Sequence, residues 1–375
     1  MLEKGAIREA IPKESQMLSN MFVRPKNTGG FRPIINLKEL NQFIPYHHFK
    51  MEGLKDLKQL LNKGDYLCKL DLRDAYYSVP LGTQSRKWMR FNWKGKLYEY
   101  LCLAFGLGPG PRIFTKIMKV PVSMLRRLGI KLIIYLDDLL IMASSKEELI
   151  AARDTTIFLF HHLGLTINYD KSEFNPTHLI EFLGVMVDSQ NMTLSLPMEK
   201  VQKLKKLCQV TLTSKQVTLH ELSSLIGKLR ATAPAILVAP LQLRYLQNLL
   251  KRGQQLTWNY GTIVSLDKDC VMELKWWKEN LGLCKGNPLL IDPPDMIIQS
   301  DAAKTGGWGA SCGPTQTGGT WNVREADLDI NIQELIAAEL AIKTFTKSAK
   351  VKSIHIQIDN TAALSYLVKM GEQGI

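Results

Sequence analysis

Two adjacent aspartates, Asp137 and Asp138, interrupt an apolar run that spans residues 130–143. The flanking stretches, 130–136 and 139–143, are of strand length and rich in Ile and Leu, so each reads as a buried β-strand. Desolvating one carboxylate beside another is costly, because burial and the neighbouring charge both disfavour ionisation. A divalent cation relieves that cost, and oxygen ligands suit Mg²⁺. A hairpin whose acidic turn faces water accommodates the pair as well, so the two aspartates alone leave both readings open. The run is too short and too charged to span a bilayer.

A second segment shifts the balance. Residues 66–70 form another apolar strand that leads into Asp71, far enough upstream for a helical excursion before the chain returns to the same sheet. Adjacent strands would then converge Asp71, Asp137 and Asp138 on one spot. Two Mg²⁺ ions bound there could activate a 3′-hydroxyl and stabilise a leaving pyrophosphate.

Composition bounds the partners. With 375 residues, 45% hydrophobic and 22% charged, the chain is an ordinary globular mix of two or three domains. A formal charge of +13 suggests a polyanionic partner, most often nucleic acid, although it also serves solubility. Ten Lys or Arg between residues 195 and 252 face only Glu199 and Glu221, which concentrates much of that surplus in one region. The six cysteines form no CxxC pair, and the mixed-charge N-terminus lacks a signal peptide's apolar core. The expectation is an intracellular protein of cytoplasm or nucleus, with reduced thiols and no membrane segment.

Three regions follow along the chain. Residues 1–190 mix short apolar runs, Gly/Pro/Asn turns and amphipathic segments. Residues 191–288 read as helices: Thr218 and Glu221 form a capping-box pattern, and Leu219, Leu222, Leu225, Ile226 and Leu229 recur at helical spacing. Val201, Leu204, Leu207 and Cys208 do the same upstream. Residues 289–375 open as a strand, a Gly-rich turn and a second strand, then a helix and a further strand, after a linker marked by Asn287-Pro288 and Asp292-Pro293-Pro294.

At this point the motifs resemble a known family. Residues 70–80 around Asp71 and the Tyr135-Leu136-Asp137-Asp138 stretch are similar to the first and third palm motifs of reverse transcriptases. Residues 103–107 with 111–114 resemble the intervening motif, residues 32–41 the fingers element, and residues 181–185 the primer-grip strand. Residues 49–54, 222–227 and 233–236 are similar to DIRS-type retrotransposon polyproteins. The resemblance implies an α+β right-hand polymerase, with fingers and palm to about residue 190 and a helical thumb and connection to 288.

Residue roles follow from that resemblance. Asp71, Asp137, Asp138 and the Leu72 carbonyl would hold two Mg²⁺ ions, or Mn²⁺ in their place. Lys26 and Arg32 would grip the triphosphate of an incoming dNTP. Asp74, Ala75, Tyr76, Phe105 and Gly106 would line the nucleotide pocket, with Tyr76 excluding a ribose 2′-hydroxyl. Lys171 is a candidate general acid for pyrophosphate. Lys203, Lys206, Lys228 and Arg230 would track the phosphates of an RNA or DNA template-primer duplex. One position departs from the family pattern: Ala104 stands where a Pro usually precedes the Phe-Gly pair.

A second acidic set lies downstream. Asp301 and Asp359 each end an apolar strand, and Glu334 opens a helix between them. This order resembles the ribonuclease H fold, whose acidic cluster binds two Mg²⁺ and hydrolyses RNA in hybrids. Glu339 is a second candidate for the helix ligand. The family places a fourth acidic ligand and further elements beyond the last residue here, Ile375, so the expectation is a truncated ribonuclease H-like module over 289–375 with little or no hydrolytic activity. The alternative to an active enzyme is a catalytically inactive nucleic-acid-binding relic of a retroelement, against which the intact palm aspartates argue.

Overall fold

A computed structural model describes residues 1–25, 30–257, 259–284, 286–290, 293–347 and 353–370. The chain divides into two compact units that meet in sequence at Met192 and Thr193. In the first unit, Met21–Pro25 (β1) and Phe31–Ile35 (β2) pair antiparallel, and Lys38–Gln42 (α1) follows. Tyr66–Arg73 (β3) encloses Leu67, Cys68 and Leu70 completely, as a strand covered on both faces requires. Gly110–Arg127 (α2) buries Phe114, Met118, Val122 and Leu125, the three-and-four spacing of one helix face.

Lys131–Tyr135 (β4) and Asp138–Ala143 (β5) then form a hairpin. Lys146–His162 (α3) begins at Ser145, whose Oγ accepts from the Glu148 N–H and so satisfies one helix-start donor. Thr166–Ile167 (β6) and Glu173–Thr177 (β7) return to β3. The central sheet runs β7–β3–β5–β4, with β6 also on β3, and α2 and α3 pack against it. This order places Asp71 and the β4–β5 turn at the same end of neighbouring strands.

Leu179–Phe182 (β8) and Val185–Asp188 (β9) close the unit as an antiparallel pair. Residues 181–185, expected as one strand, are therefore a hairpin tip. Leu183 and Gly184 both have positive φ, as a two-residue hairpin turn of this hand demands.

Among the described residues, the second unit has one apolar core among helices and another against a sheet. Met198–Ser214 (α4), Leu219–Arg230 (α5), Arg244–Leu256 (α6) and Lys268–Asn280 (α7) gather around Leu222, Leu225, Leu274 and Trp277. Thr218 and Glu221 form the reciprocal capping box, and all five apolar positions of α5 are buried. The start of α6 is capped from a distance: the Glu273 carboxylate accepts from the Tyr245 and Leu246 N–H groups.

Met296–Ala303 (β10), Gly307–Cys312 (β11), Thr315–Gly319 (β12) and Ile354–Ile358 (β13) form the other sheet, ordered β12–β11–β10–β13. Only the β10–β13 pair is parallel. Ile330–Thr346 (α8) packs on β10 and β11, and Thr361–Val368 (α9) follows β13. Asp301 does not end its strand, because β10 continues to Ala303 with Asp301 opposite Gly309. The strand β12 is illegible in sequence, since Gly318 and Gly319 carry low β-propensity. Gly307 is fixed by geometry: its φ is +119°, and a Cβ there would collide with the Gly319 carbonyl. Among the described residues, no helix is long and apolar enough to cross a membrane.

Candidate active site

The β4–β5 hairpin closes on Tyr135 and Asp138, leaving only Leu136 and Asp137 as its turn. A two-residue turn needs positive φ at its first position, and Leu136 adopts +55°. For a leucine this costs on the order of 1–2 kcal/mol, and it puts Asp137 at the tip. Asp138 opens β5 directly opposite Asp71 of β3. The Leu72 N–H donates to the Asp137 carbonyl at 2.8 Å, which ties the tip to β3.

Electrostatics at this end of the sheet are unfavourable without a cation. Burial, then Asp137 and Asp71, push the Asp138 carboxyl up to about 6. Burial and Asp71 also raise Asp137, against a lowering by Lys171. The donors are all oxygen, which fits Mg²⁺ or Mn²⁺. The three carboxylates are nevertheless spread wider than a single convergence point. Among the described residues, the only acidic trio with oxygens within 4.8 Å of one another lies elsewhere. Asp71 is engaged by a neighbouring loop instead: Asn168 Nδ2 donates to its Oδ1 at 2.7 Å, and Lys171 Nζ stands 4.0 Å from its Oδ2.

The nucleotide-pocket candidates divide. The Tyr76 ring is buried, stacks on Phe105 at 4.9 Å between centroids, and touches Phe114. Burial and then Asp137 push its hydroxyl up to about 12, so it stays protonated. Tyr77 meets Phe105 only edge-on at 6.1 Å. Ala75 is buried beside Tyr76, whereas the Asp74 carboxylate is held by Lys4 at 2.5 Å. Gly106 has φ of +97°, and its carbonyl accepts from Asn41 Nδ2 while Asn41 Oδ1 accepts from the Gly108 N–H. Asn41 thus pins this loop to α1.

Arg32 is exposed on β2 opposite Arg24 of β1. Like charges directly across a ladder repel, and an anion laid between them would relieve this. Lys26 lies outside the described residues. Asn41, Asn168 and Arg24 are the residues that sequence reasoning missed. Asn41 stands inside a motif already recognised and Asn168 just upstream of the candidate Lys171, but an amide offers no chemistry until its partner strand is known.

In the second unit, the parallel register pairs Ser300 with Ile358, so Asp301 and Asp359 emerge side by side. Helix α8 lays Glu334 across them, and this is the trio within 4.8 Å. Glu334 is 4% exposed, and its Oε2 has no hydrogen-bond partner. Burial, then Asp301 and Asp359, raise its carboxyl above the usual range. An orphaned buried oxygen facing two carboxylates fits a divalent cation. Glu339 turns outward to Lys343. On α4, Lys203 and Lys206 are exposed, with Lys203 reaching Glu199 at 3.2 Å. Lys228 and Arg230 are exposed at the end of α5, where cations also complement the helix dipole.

Comparisons with known proteins reach across both units, and the family match lies in the first. Residues 11–187 match the family model of reverse transcriptase (RNA-dependent DNA polymerase). The chain is 25% identical over 330 residues to polyprotein P3 of Commelina yellow mottle virus, covering 83% of this chain and 16% of that protein. It is 24% identical over 192 residues to the transposon Tf2-3 polyprotein of Schizosaccharomyces pombe, covering 51% of this chain and 14% of that protein. The chain therefore spans less than a fifth of either polyprotein. A foamy viral protease-reverse transcriptase dRH in complex with double-stranded DNA superposes with a TM-score of 0.66 at 16% identity, over 97% of this chain and 62% of that one. The foamy viral protease-reverse transcriptase in complex with RNA/DNA hybrid gives 0.63 at 16% identity, over 100% of this chain and 49% of that one. The segment carrying Asp71, Asp137 and Asp138 thus lies within the stretch that matches the reverse transcriptase family.

Proposed function

We propose that the chain is an RNA-directed DNA polymerase that extends a primer with dNTPs by two-metal phosphoryl transfer. The observation that carries this reading is the register of Asp71 opposite Asp138, with Asp137 at the turn. Asp71, Asp137, Asp138 and the Leu72 carbonyl would hold the ions, which when bound supply Lewis acidity for an in-line displacement. The buried, protonated Tyr76 forms a fixed floor that excludes a 2′-hydroxyl, and Phe105 stacked on it shapes the pocket beside Ala75 and Gly106. Asp74, whose exposed carboxylate pairs with Lys4, lines the same pocket. Arg32 with Lys26 grips the triphosphate, and Lys171 delivers a proton to pyrophosphate.

The foamy viral relatives hold double-stranded DNA and RNA/DNA hybrid. We assign the same class of partner to this chain, with Lys203, Lys206, Lys228 and Arg230 tracking its phosphates. In this reading, residues 1–190 are fingers and palm, 191–288 thumb and connection, and 289–375 a ribonuclease H-like module of a DIRS-type element. Asp301, Glu334 and Asp359 would hold the second metal centre.

Primer extension on poly(rA)/oligo(dT) with Mg²⁺ tests the polymerase reading. Incorporation by the wild type and its loss in Asp137→Asn are expected. Wild-type activity no greater than that of Asp137→Asn would defeat it.

A further inference from the structure

We propose that Asn168 is a positioning residue that fixes which oxygen of Asp71 is presented to a divalent cation, a proposal that rests on the polymerase reading. Asn168 holds Asp71 twice: Nδ2 donates to Oδ1 at 2.7 Å, and its N–H donates to the Asp71 carbonyl at 2.8 Å. Ser172 completes the frame, its Oγ accepting from the Asp71 N–H at 3.0 Å and donating to the Asn168 carbonyl at 2.8 Å. One loop therefore engages the backbone N–H, the carbonyl and one carboxylate oxygen of Asp71.

Strand register explains why the loop reaches it. Strand β6 pairs Ile167 with Leu72, and β7 pairs Glu173 with Lys69. Residues 168–172 thus stand opposite only Leu70 and Asp71. Surplus chain cannot follow the ladder, so it arches away from the strand as an enlarged bulge. The Lys171 and Ser172 N–H groups both donate back to the Asn168 carbonyl and close the arch.

The chemical consequence is a division of labour between the two carboxylate oxygens. The amide occupies Oδ1 with a neutral donor, so it restrains the side chain without opposing a cation by charge. Oδ2 is left facing Lys171, 4.0 Å away. The rotamer of a ligand carboxylate and the cationic side chain beside it are thereby set by the same five residues. Partners that orient a ligating carboxylate are worth about 10–100-fold in metal affinity.

The discriminating substitution is Asn168→Asp, which keeps the shape and the backbone N–H but puts an acceptor where the donor was. Mn²⁺ binding is titrated in a Glu334→Gln background, which silences the other acidic trio, and Mg²⁺ midpoint and dNTP KM are read by primer extension. The expectation is Mn²⁺ affinity and Mg²⁺ midpoint each weakened about tenfold, with dNTP KM within about twofold. If Asn168→Asp does not fold, Asn168→Ala carries the same expectation without the like-charge contact. Unchanged or tighter Mn²⁺ binding in a folded variant overturns the proposal, as does a parallel loss of dNTP affinity and thermal stability. A wild-type chain that binds Mn²⁺ in an Asn168-dependent way yet extends no primer would refute only the polymerase reading.

Discussion

The two acidic clusters of this chain are built by different means. Asp71, Asp137 and Asp138 hang from antiparallel strands and a strained hairpin tip, with Asn168 and Lys171 already engaging Asp71. Asp301, Glu334 and Asp359 come from two parallel strands and a helix, and converge within 4.8 Å with one oxygen unpartnered. The first cluster lowers its electrostatic cost by spacing and by nearby donors. The second concentrates like charge around a buried carboxylate, which only a proton or a cation relieves. The looser cluster is the one that sits within the stretch matching a polymerase family.

The largest expected effect separates the two centres outright. Asp137→Asn should lower single-nucleotide incorporation by about a thousandfold, while any cleavage of RNA in a hybrid stays at the wild-type level. Equal loss of both would mean that the clusters are not independent. Next, Tyr76→Ala should relax discrimination against ribonucleotides by about 10–100-fold, read as the ratio of kcat/KM for dNTP and rNTP. Unchanged sugar selectivity would remove the role assigned to that ring.

A smaller effect concerns pH. Glu334 has a raised carboxyl, so the folded chain holds its proton more tightly than the unfolded one, and this group's contribution to stability falls as pH rises above about 4.5. Glu334→Gln in metal-free buffer should therefore raise the unfolding free energy by on the order of 1 kcal/mol at pH 7, with the gain vanishing near pH 4. It should also abolish Mg²⁺-dependent stabilisation attributable to this cluster. A gain that persists at low pH would point to packing rather than charge. Smallest of all, Glu339→Gln removes only an exposed pair with Lys343 and should change stability by about 0.3–0.5 kcal/mol, with no effect on metal binding. A larger metal effect would mean that the helix presents the wrong acid.

Helix α5 was legible residue by residue, because its apolar spacing and its Thr218–Glu221 box are local signals. The start of α6 was not, since its cap is Glu273, supplied by another helix. The same contrast holds at the site. Asp71, Asp137 and Asp138 stand out because carboxylates against apolar strands are costly and therefore informative. Asn168 and Asn41 are silent in sequence, as a neutral amide acquires meaning only from the strand or loop it meets.

By itself, the order of residues determined that aspartates would lie at or near the ends of apolar strands, that basic helices would follow, and that a second acidic trio would lie beyond them. Those are consequences of local periodicity and of the cost of burying charge. Tertiary structure alone decided which oxygens meet. Parallel register brought Asp301 beside Asp359, antiparallel register set Asp138 against Asp71, and a five-residue arch gave Asp71 to Asn168. Register and loop closure depend on contacts between distant segments, and no local run of residues encodes them.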